Sequence, residues 1–168
     1  MTTEQELQRF AELQTIAFDC ARTGETETLQ PMIDAGLPVD LQDEKGNSFL
    51  MLASYNGWLE TSRMLLERGA EPDLRNKRNQ TPLGGVAFKG DRETAELLLE
   101  FGAEVEANQG GGQTPLLFAK LFGRTEVATL LEKAGADSDR KIKWGMTPAR
   151  WSALTSPIRS VVRLFNSH

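Results

Sequence analysis

The sequence has few of the side chains that most catalytic and metal-binding sites need. It has one cysteine, Cys20, and one histidine, His168, which is the last residue. One cysteine cannot form an intramolecular disulfide, and the two residues together cannot build a Cys/His zinc cluster. A Ser-His-Asp or Cys-His arrangement needs a histidine held in a cleft, which a terminal position does not supply. We therefore expect no enzyme activity, no cofactor and no metal.

Long hydrophobic runs are also absent. No stretch reaches the roughly 18 consecutive apolar residues that indicate a membrane span. The N-terminus, which begins MTTEQE, has neither the basic start nor the apolar run of a secretory signal. These absences predict a cytoplasmic protein that does not bind a membrane, unless it is exported by a route without such a signal.

Acidic residues outnumber basic ones, and the net charge is −5. The balance differs between the ends: residues 1–42 carry two basic and eight acidic residues, whereas residues 141–168 carry five basic residues and no acidic one. An acidic chain argues against nucleic acid as the main partner. The asymmetry fits two solvated ends of a monomer, which we expect, or weak head-to-tail association.

An internal repeat of 33 residues organises the chain. Small hydroxyl residues, acids and two sets of glycines all recur at this interval. The first glycine set is Gly24, Gly57, Gly90 and Gly123, the second is Gly36, Gly69, Gly102 and Gly135, the hydroxyl residues are Thr15, Ser48, Thr81, Thr114 and Thr147, and the acids are Glu27, Glu60, Glu93 and Glu126. Four series with one period indicate a repeated structural unit.

The unit at residues 76–108 has the signals of two short helices. Thr81-Pro82 predicts a capped helix start and Gly90 its end. Asp91 predicts the start of a second helix, which Gly102 ends. Because a single helix pair cannot bury its apolar face, neighbouring units are expected to stack.

These motifs resemble the ankyrin repeat. The resemblance is carried by Thr81-Pro82-Leu83 and Thr114-Pro115-Leu116, and by helix endings such as Leu98-Leu99-Glu100-Phe101-Gly102-Ala103. It implies an all-α solenoid of stacked helix-turn-helix pairs with capping helices. We place repeats at residues 10–42, 43–75, 76–108 and 109–141, a truncated repeat at 142–155 and a C-terminal capping helix at 156–166.

The sequence departs from the family pattern at several points. The histidine that follows Thr-Pro-Leu in the family is replaced by Met51, Gly84 and Leu117, and losing its hydrogen bonds is expected to loosen the array of loops. Gly84-Gly85 is expected to weaken its helix by about 1 kcal/mol per glycine, or to leave room for a bulky neighbour.

The first repeat is degenerate, with Thr15-Ile16 in place of Thr-Pro and a helix expected over residues 3–14. Pro31 is expected to kink or shorten the second helix of this repeat.

The resemblance implies a binding face made of loop tips and first helices. The loop-tip positions are Lys45, Asn47, Lys77, Arg78, Gln80, Gln113, Lys143, Trp144 and Met146, and the first-helix positions are Tyr55, Asn56, Phe88, Lys89, Leu121 and Phe122. Large apolar groups beside basic ones predict a protein partner that is acidic or mixed in charge and carries apolar anchors. The alternative is that Leu121 and Phe122 pack between repeats and that the basic loop tips aid solubility.

We therefore expect a non-enzymatic protein-interaction module that acts as a scaffold, an inhibitor or a regulator. The alternatives are an effector that acts on a foreign cell and a self-assembling solenoid. Gly110-Gly111-Gly112 lacks the Lys-Ser/Thr of a phosphate loop, which argues against nucleotide binding. Cys20 is expected to be buried, and the periodic acids are expected to form a solvated outer face.

Overall fold

A computed structural model describes residues 3–139, which form eight α-helices and no strand. The helices are α1 (Thr3–Thr23), α2 (Thr26–Asp34), α3 (Phe49–Tyr55), α4 (Leu59–Glu67), α5 (Pro82–Lys89), α6 (Arg92–Glu100), α7 (Pro115–Leu121) and α8 (Thr125–Lys133). The predicted all-α class is confirmed. The truncated repeat at 142–155 and the capping helix at 156–166 lie outside the described residues.

The helices stack in two rows. Each odd-numbered helix packs on the even-numbered helix that follows it, so the chain makes four helix pairs. α1, α3, α5 and α7 pack side by side in one row, and α2, α4, α6 and α8 form the second row. A single hydrophobic core runs through all four pairs, so each pair buries its apolar face against its neighbours.

The first helices begin and end as the repeat predicts. Ser48, Thr81 and Thr114 are the N-caps of α3, α5 and α7, and each hydroxyl accepts a hydrogen bond from the backbone N–H three residues on. Gly57 and Gly90, at φ values of 79° and 87°, follow α3 and α5 in the left-handed conformation that suits glycine. The equivalent glycines therefore have equivalent backbone conformations.

The first repeat differs from this pattern because α1 is one continuous helix of 21 residues. Thr15 is not an N-cap: its hydroxyl donates to the carbonyl of Ala11 at 3.0 Å. No proline or turn residue precedes it, so the helix predicted over residues 3–14 runs into the first helix of the repeat. α1 is consequently about 20 Å longer than α3, and its early apolar residues stay open, with Leu7 66 % exposed.

Pro31 does not shorten its helix. α2 has nine residues, as α4, α6 and α8 have. Proline removes one hydrogen bond, to the carbonyl four residues earlier. That carbonyl belongs to Glu27, and both Glu27 and Pro31 are on the exposed side of the helix. The expectation of a shortened helix was therefore wrong, because the defect faces solvent.

Carboxylates tie each connecting loop to the next repeat. Three of them, 33 residues apart, accept a hydrogen bond from the backbone N–H 31 residues later. The pairs are Asp40 with Glu71 at 3.0 Å, Asp73 with Glu104 at 2.9 Å and Glu106 with Asp137 at 2.9 Å. Each of these three hydrogen bonds joins a loop to the backbone of the adjacent repeat, so they link nearest neighbours.

We expect Asp73→Asn to raise the free energy of unfolding at pH 7. Burial, reinforced by the charges of Glu104 and Glu71, raises the pKa of the Asp73 carboxyl group. One of its oxygens, Oδ1, has no hydrogen-bond partner among the described residues. Asparagine keeps an acceptor for the Glu104 N–H and removes the charge, so we expect a gain of about 0.5 kcal/mol by urea denaturation.

The gain from Asp73→Asn should shrink as the pH falls from 7 towards 4. A carboxyl group with a raised pKa in the folded state binds its proton first in that state, so protonation there stabilises the wild type. Asp40→Asn, at the equivalent but exposed position, is the matched control and should show no such gain. Equal effects of the two substitutions would contradict an explanation by burial.

Candidate functional site

A groove of about 550 Å³ opens on the row of first helices, across α3, α5 and α7. Seven of the residues predicted for the binding face line it: Lys45, Asn47, Tyr55, Arg78, Gln80, Phe88 and Phe122. Others at its surface had not been predicted: Met51, Leu52, Asn76, Thr81, Pro82, Gly84, Gly85 and Phe118. The site therefore combines loop tips with helix residues from three successive repeats.

Five predicted residues lie outside the lining of the groove: Asn56, Lys77, Lys89, Gln113 and Leu121. Asn56 is the C-cap residue of α3, and its side chain donates to the carbonyl of Leu52 at 2.9 Å. Gln113 is exposed in the loop before α7, and Leu121 is half-buried at the end of α7. Lys143, Trp144 and Met146 lie outside the described residues.

The other two residues of this group still contact residues that line the groove. The backbone N–H of Lys77 donates to the carbonyl of Lys45 at 3.0 Å, which joins two successive loop tips. The Lys89 ammonium lies 5.1 Å from the centroid of the Tyr55 ring, within cation–π range.

Aromatic side chains form the walls of the groove. Phe88 and Phe122 meet edge to face, with 4.5 Å between ring centroids. Phe122 thus packs against the preceding repeat, as the alternative interpretation had it, yet it stays 42 % exposed. Tyr55 is 41 % exposed. Apolar area of this kind, held open between neighbouring helices, is typical of a contact surface.

Residues from one register position of the repeat contribute to the floor. Leu52, Gly85 and Phe118 are 33 residues apart, and all three line the groove. The signal that could have found Leu52 and Phe118 was present in the sequence, because each stands three residues before a predicted position, Tyr55 or Leu121. Leu52 lies about one helical turn before Tyr55, and the 33-residue period leads from Leu52 to Gly85 and Phe118.

The loop tips place two cations at the groove. Lys45 and Arg78 are exposed, and their side chains make no hydrogen bond or ion pair within residues 3–139. The neighbouring amides are occupied: the Asn76 side-chain nitrogen donates to Asn47 Oδ1 and to Gln80 Oε1, both at 3.1 Å. The amide network fixes the loops, and the two cations remain available to an anion.

Gln109 ties the third and fourth repeats together where the family uses a histidine. Its Oε1 accepts from the Thr81 backbone N–H at 2.9 Å, and its Nε2 donates to Thr81 Oγ1 and to the Ala107 carbonyl, each at 2.9 Å. The Gln109 side chain is 4 % exposed and occupies the space that a Cβ on Gly84 would take. The expectation of a loosened array was therefore wrong here, and the bulky neighbour of Gly84 is Gln109.

Groups with catalytic potential are not gathered at the groove. Cys20 is buried, and burial raises the pKa of its thiol, which keeps it protonated. Between residues 3 and 139, no group of three or more His, Cys, Asp or Glu residues could hold a metal ion. In the same range, no helix is both long and apolar enough to cross a membrane. The acids Glu60, Glu67, Glu93, Glu96, Glu100, Glu126 and Glu132 are exposed, as predicted for a solvated face.

Comparison with known proteins agrees with the repeat architecture. The sequence profile for ankyrin repeats, which comprises three copies, matches residues 17–109. A Pseudomonas aeruginosa protein that is named for its ankyrin repeats is 50% identical over 40 residues. The matched segment covers 24% of this chain and 23% of that protein, so the similarity spans about a quarter of each.

Proposed function

Because this chain belongs to the ankyrin-repeat family, whose repeats are generally protein-interaction modules, we propose that its groove binds a protein partner. The chain then acts as a scaffold, an inhibitor or a regulator of that partner, without catalysing a reaction. The acidic character of the whole chain supports a protein rather than a nucleic acid as the partner. We propose that it does so as a cytoplasmic monomer that does not bind a membrane.

One observation carries this proposal: exposed aromatic rings stand in one groove beside cations that have no partner within residues 3–139. Tyr55 and Phe122 keep about two-fifths of their surface open, although both lie on the helix row that forms the groove. Lys45 and Arg78 add positive charge that no described acid neutralises. A partner would cover the rings and pair with the cations, and aromatic and arginine side chains dominate binding energy at such surfaces.

Removing two aromatic walls should abolish most of the binding. We expect Tyr55→Ala/Phe88→Ala to weaken binding of a captured partner at least about tenfold, because truncated anchor residues at an interface typically cost that much or more. Wild type and variant would be used to capture proteins from lysate, and the partner recovered by the wild type would be purified and titrated calorimetrically.

Phe101→Ala is the matched control for this experiment. Phe101 is also an exposed aromatic residue, but it caps the outer helix α6 and does not line the groove. It should leave the affinity unchanged. Thermal unfolding of each variant separates loss of binding from loss of the fold, since Phe88 also packs on Phe122. A folded double variant that binds as tightly as the wild type would overturn the proposed binding face.

A further inference from the structure

We propose that the groove recognises an acidic peptide segment with one bulky apolar side chain. The apolar side chain lies between Tyr55 and Phe88, in the part of the groove that Gly85 also lines, and a carboxylate of the same segment binds Lys45 and Arg78. This inference rests on the proposed function and adds the chemistry of the bound segment.

Gly85 makes the seat for the apolar side chain. Its two equivalents in the neighbouring repeats, Leu52 and Phe118, carry large side chains into the lining of the groove. At Gly85 there is none, and a Cβ built there would lie 3.2 Å from Cδ2 of Tyr55. The Tyr55 ring therefore lies against the Gly85 backbone, and the middle repeat places no side chain at this register position of the groove lining. Its volume of about 550 Å³ lies in the range of pockets that bind small organic groups.

The seat is apolar on its sides. Tyr55 stands on α3, Phe88 on α5, and Phe118 and Phe122 belong to the fourth repeat. An aromatic or long aliphatic side chain placed there would be covered by rings on both sides, and removing its apolar surface from water would stabilise the complex. A neutral polar side chain would find few partners among the nearby amides, because the Asn76 amide already donates to Asn47 and to Gln80.

The anion site stands at the loop-tip side of the same groove. Lys45 and Arg78 are equivalent positions of consecutive repeats, so one tip presents an ammonium group and the next a guanidinium group. The contact between the Lys77 N–H and the Lys45 carbonyl, at 3.0 Å, holds these tips together. Guanidinium binds a carboxylate through two parallel hydrogen bonds, which favours acidic side chains or a chain terminus as the ligand.

Short synthetic peptides test this inference on the full-length protein. The main probe is a capped peptide with acidic residues on both sides of one phenylalanine, and two further probes replace the phenylalanine with alanine or the acids with lysine. A fourth probe has neutral side chains and a free terminal carboxylate, which distinguishes side-chain from terminal anions. A fifth carries phosphoserine in place of one acid. Binding is followed by the backbone amide signals of Gly85 and Phe88 in nuclear magnetic resonance titrations.

We expect the acidic phenylalanine peptide to shift both signals and to bind at least about tenfold more tightly than the alanine or lysine peptide. Lys45→Glu/Arg78→Glu should weaken it by a similar factor and abolish its salt dependence. Arg63→Glu/Arg92→Glu, with exposed residues on the outer helices α4 and α6, should not. Gly85→Leu should block the apolar seat, and the charge-reversal variant keeps the test informative if that variant does not fold.

Equal binding of the phenylalanine and alanine peptides would overturn the apolar seat, and unchanged affinity of the charge-reversal variant would overturn the anion site. Tighter binding of the phosphoserine peptide would overturn the assignment of a carboxylate. If a captured partner depends on Tyr55 and Phe88 while no acidic peptide shifts Gly85, this inference fails and the proposed function stands. If the partner does not depend on those rings, the proposed function fails whatever the peptides do.

Discussion

Replacing Gly84 with alanine is expected to lower the free energy of unfolding by about 2 kcal/mol, even though alanine is the better helix former. A Cβ at this position would overlap the Gln109 side-chain amide. The amide would have to move away, and the Thr81 backbone N–H, which donates to its oxygen at 2.9 Å, would be buried without a partner. Such a loss costs about 1–3 kcal/mol per group, and three hydrogen bonds depend on this amide, so it outweighs a helix gain of about 1 kcal/mol.

Gly85→Ala is the matched control for Gly84→Ala, in the same turn of the same helix. Its Cβ would meet only the edge of the Tyr55 ring, which is exposed and can move. We expect this variant to be as stable as the wild type or more stable by up to about 1 kcal/mol. Urea denaturation followed by circular dichroism measures both variants.

A double-mutant cycle separates the glycine from the glutamine. In a Gln109→Ala background the amide is gone, so Gly84→Ala should no longer destabilise and should gain about 1 kcal/mol from helix propensity. A change of sign between the two backgrounds is the specific expectation. If Gly84→Ala destabilised equally in both, the cause would lie in the helix and not in the contact with Gln109.

Leu98→Ala is expected to lower the free energy of unfolding by about 3–4 kcal/mol, the largest effect we predict. Leu98 is fully buried in α6, which packs between α4 and α8. Removing its side chain leaves a cavity where two repeat interfaces meet, and such changes cost about 2–5 kcal/mol.

The adjacent residue supplies the control. Leu99 has the same side chain on the same helix but is half-buried, so Leu99→Ala should cost only about 1 kcal/mol. The helix-propensity change is identical in the two variants, and their difference in urea denaturation reports burial alone. Equal losses would show that the two leucines contribute alike to the core.

The repeat period predicted most of the architecture because its signals are local. A hydroxyl residue before proline, and a glycine after the last helical turn, fix where a helix begins and ends whatever surrounds it. Thr81, Thr114 and Gly90 behave accordingly. Thr15 has the same spacing but no proline after it, and without a turn before it the preceding helix simply continues.

The contacts of Gln109 could not be predicted in this way. A glutamine in a loop is usually exposed, and its burial here depends on a missing side chain 25 residues earlier, at Gly84. Such long-range compensation leaves no periodic signal. The groove shows a similar limit: Tyr55 and Phe88 follow from the family's binding face, whereas the groove itself forms only when three helices are assembled.

The groove is shared by three successive repeats, and the strongest contacts among the described helices are within a repeat or between adjacent repeats. If the fourth repeat frays while the others stay folded, Phe118 and Phe122 depart and Tyr55 remains in place. An occupant that contacts both sides would therefore hold the fourth repeat against the second and third, and would slow amide hydrogen exchange in α7 and α8 more than in α1 and α2. In such an arrangement, the free energy of partner binding also adds to the coupling between repeats that makes their unfolding cooperative.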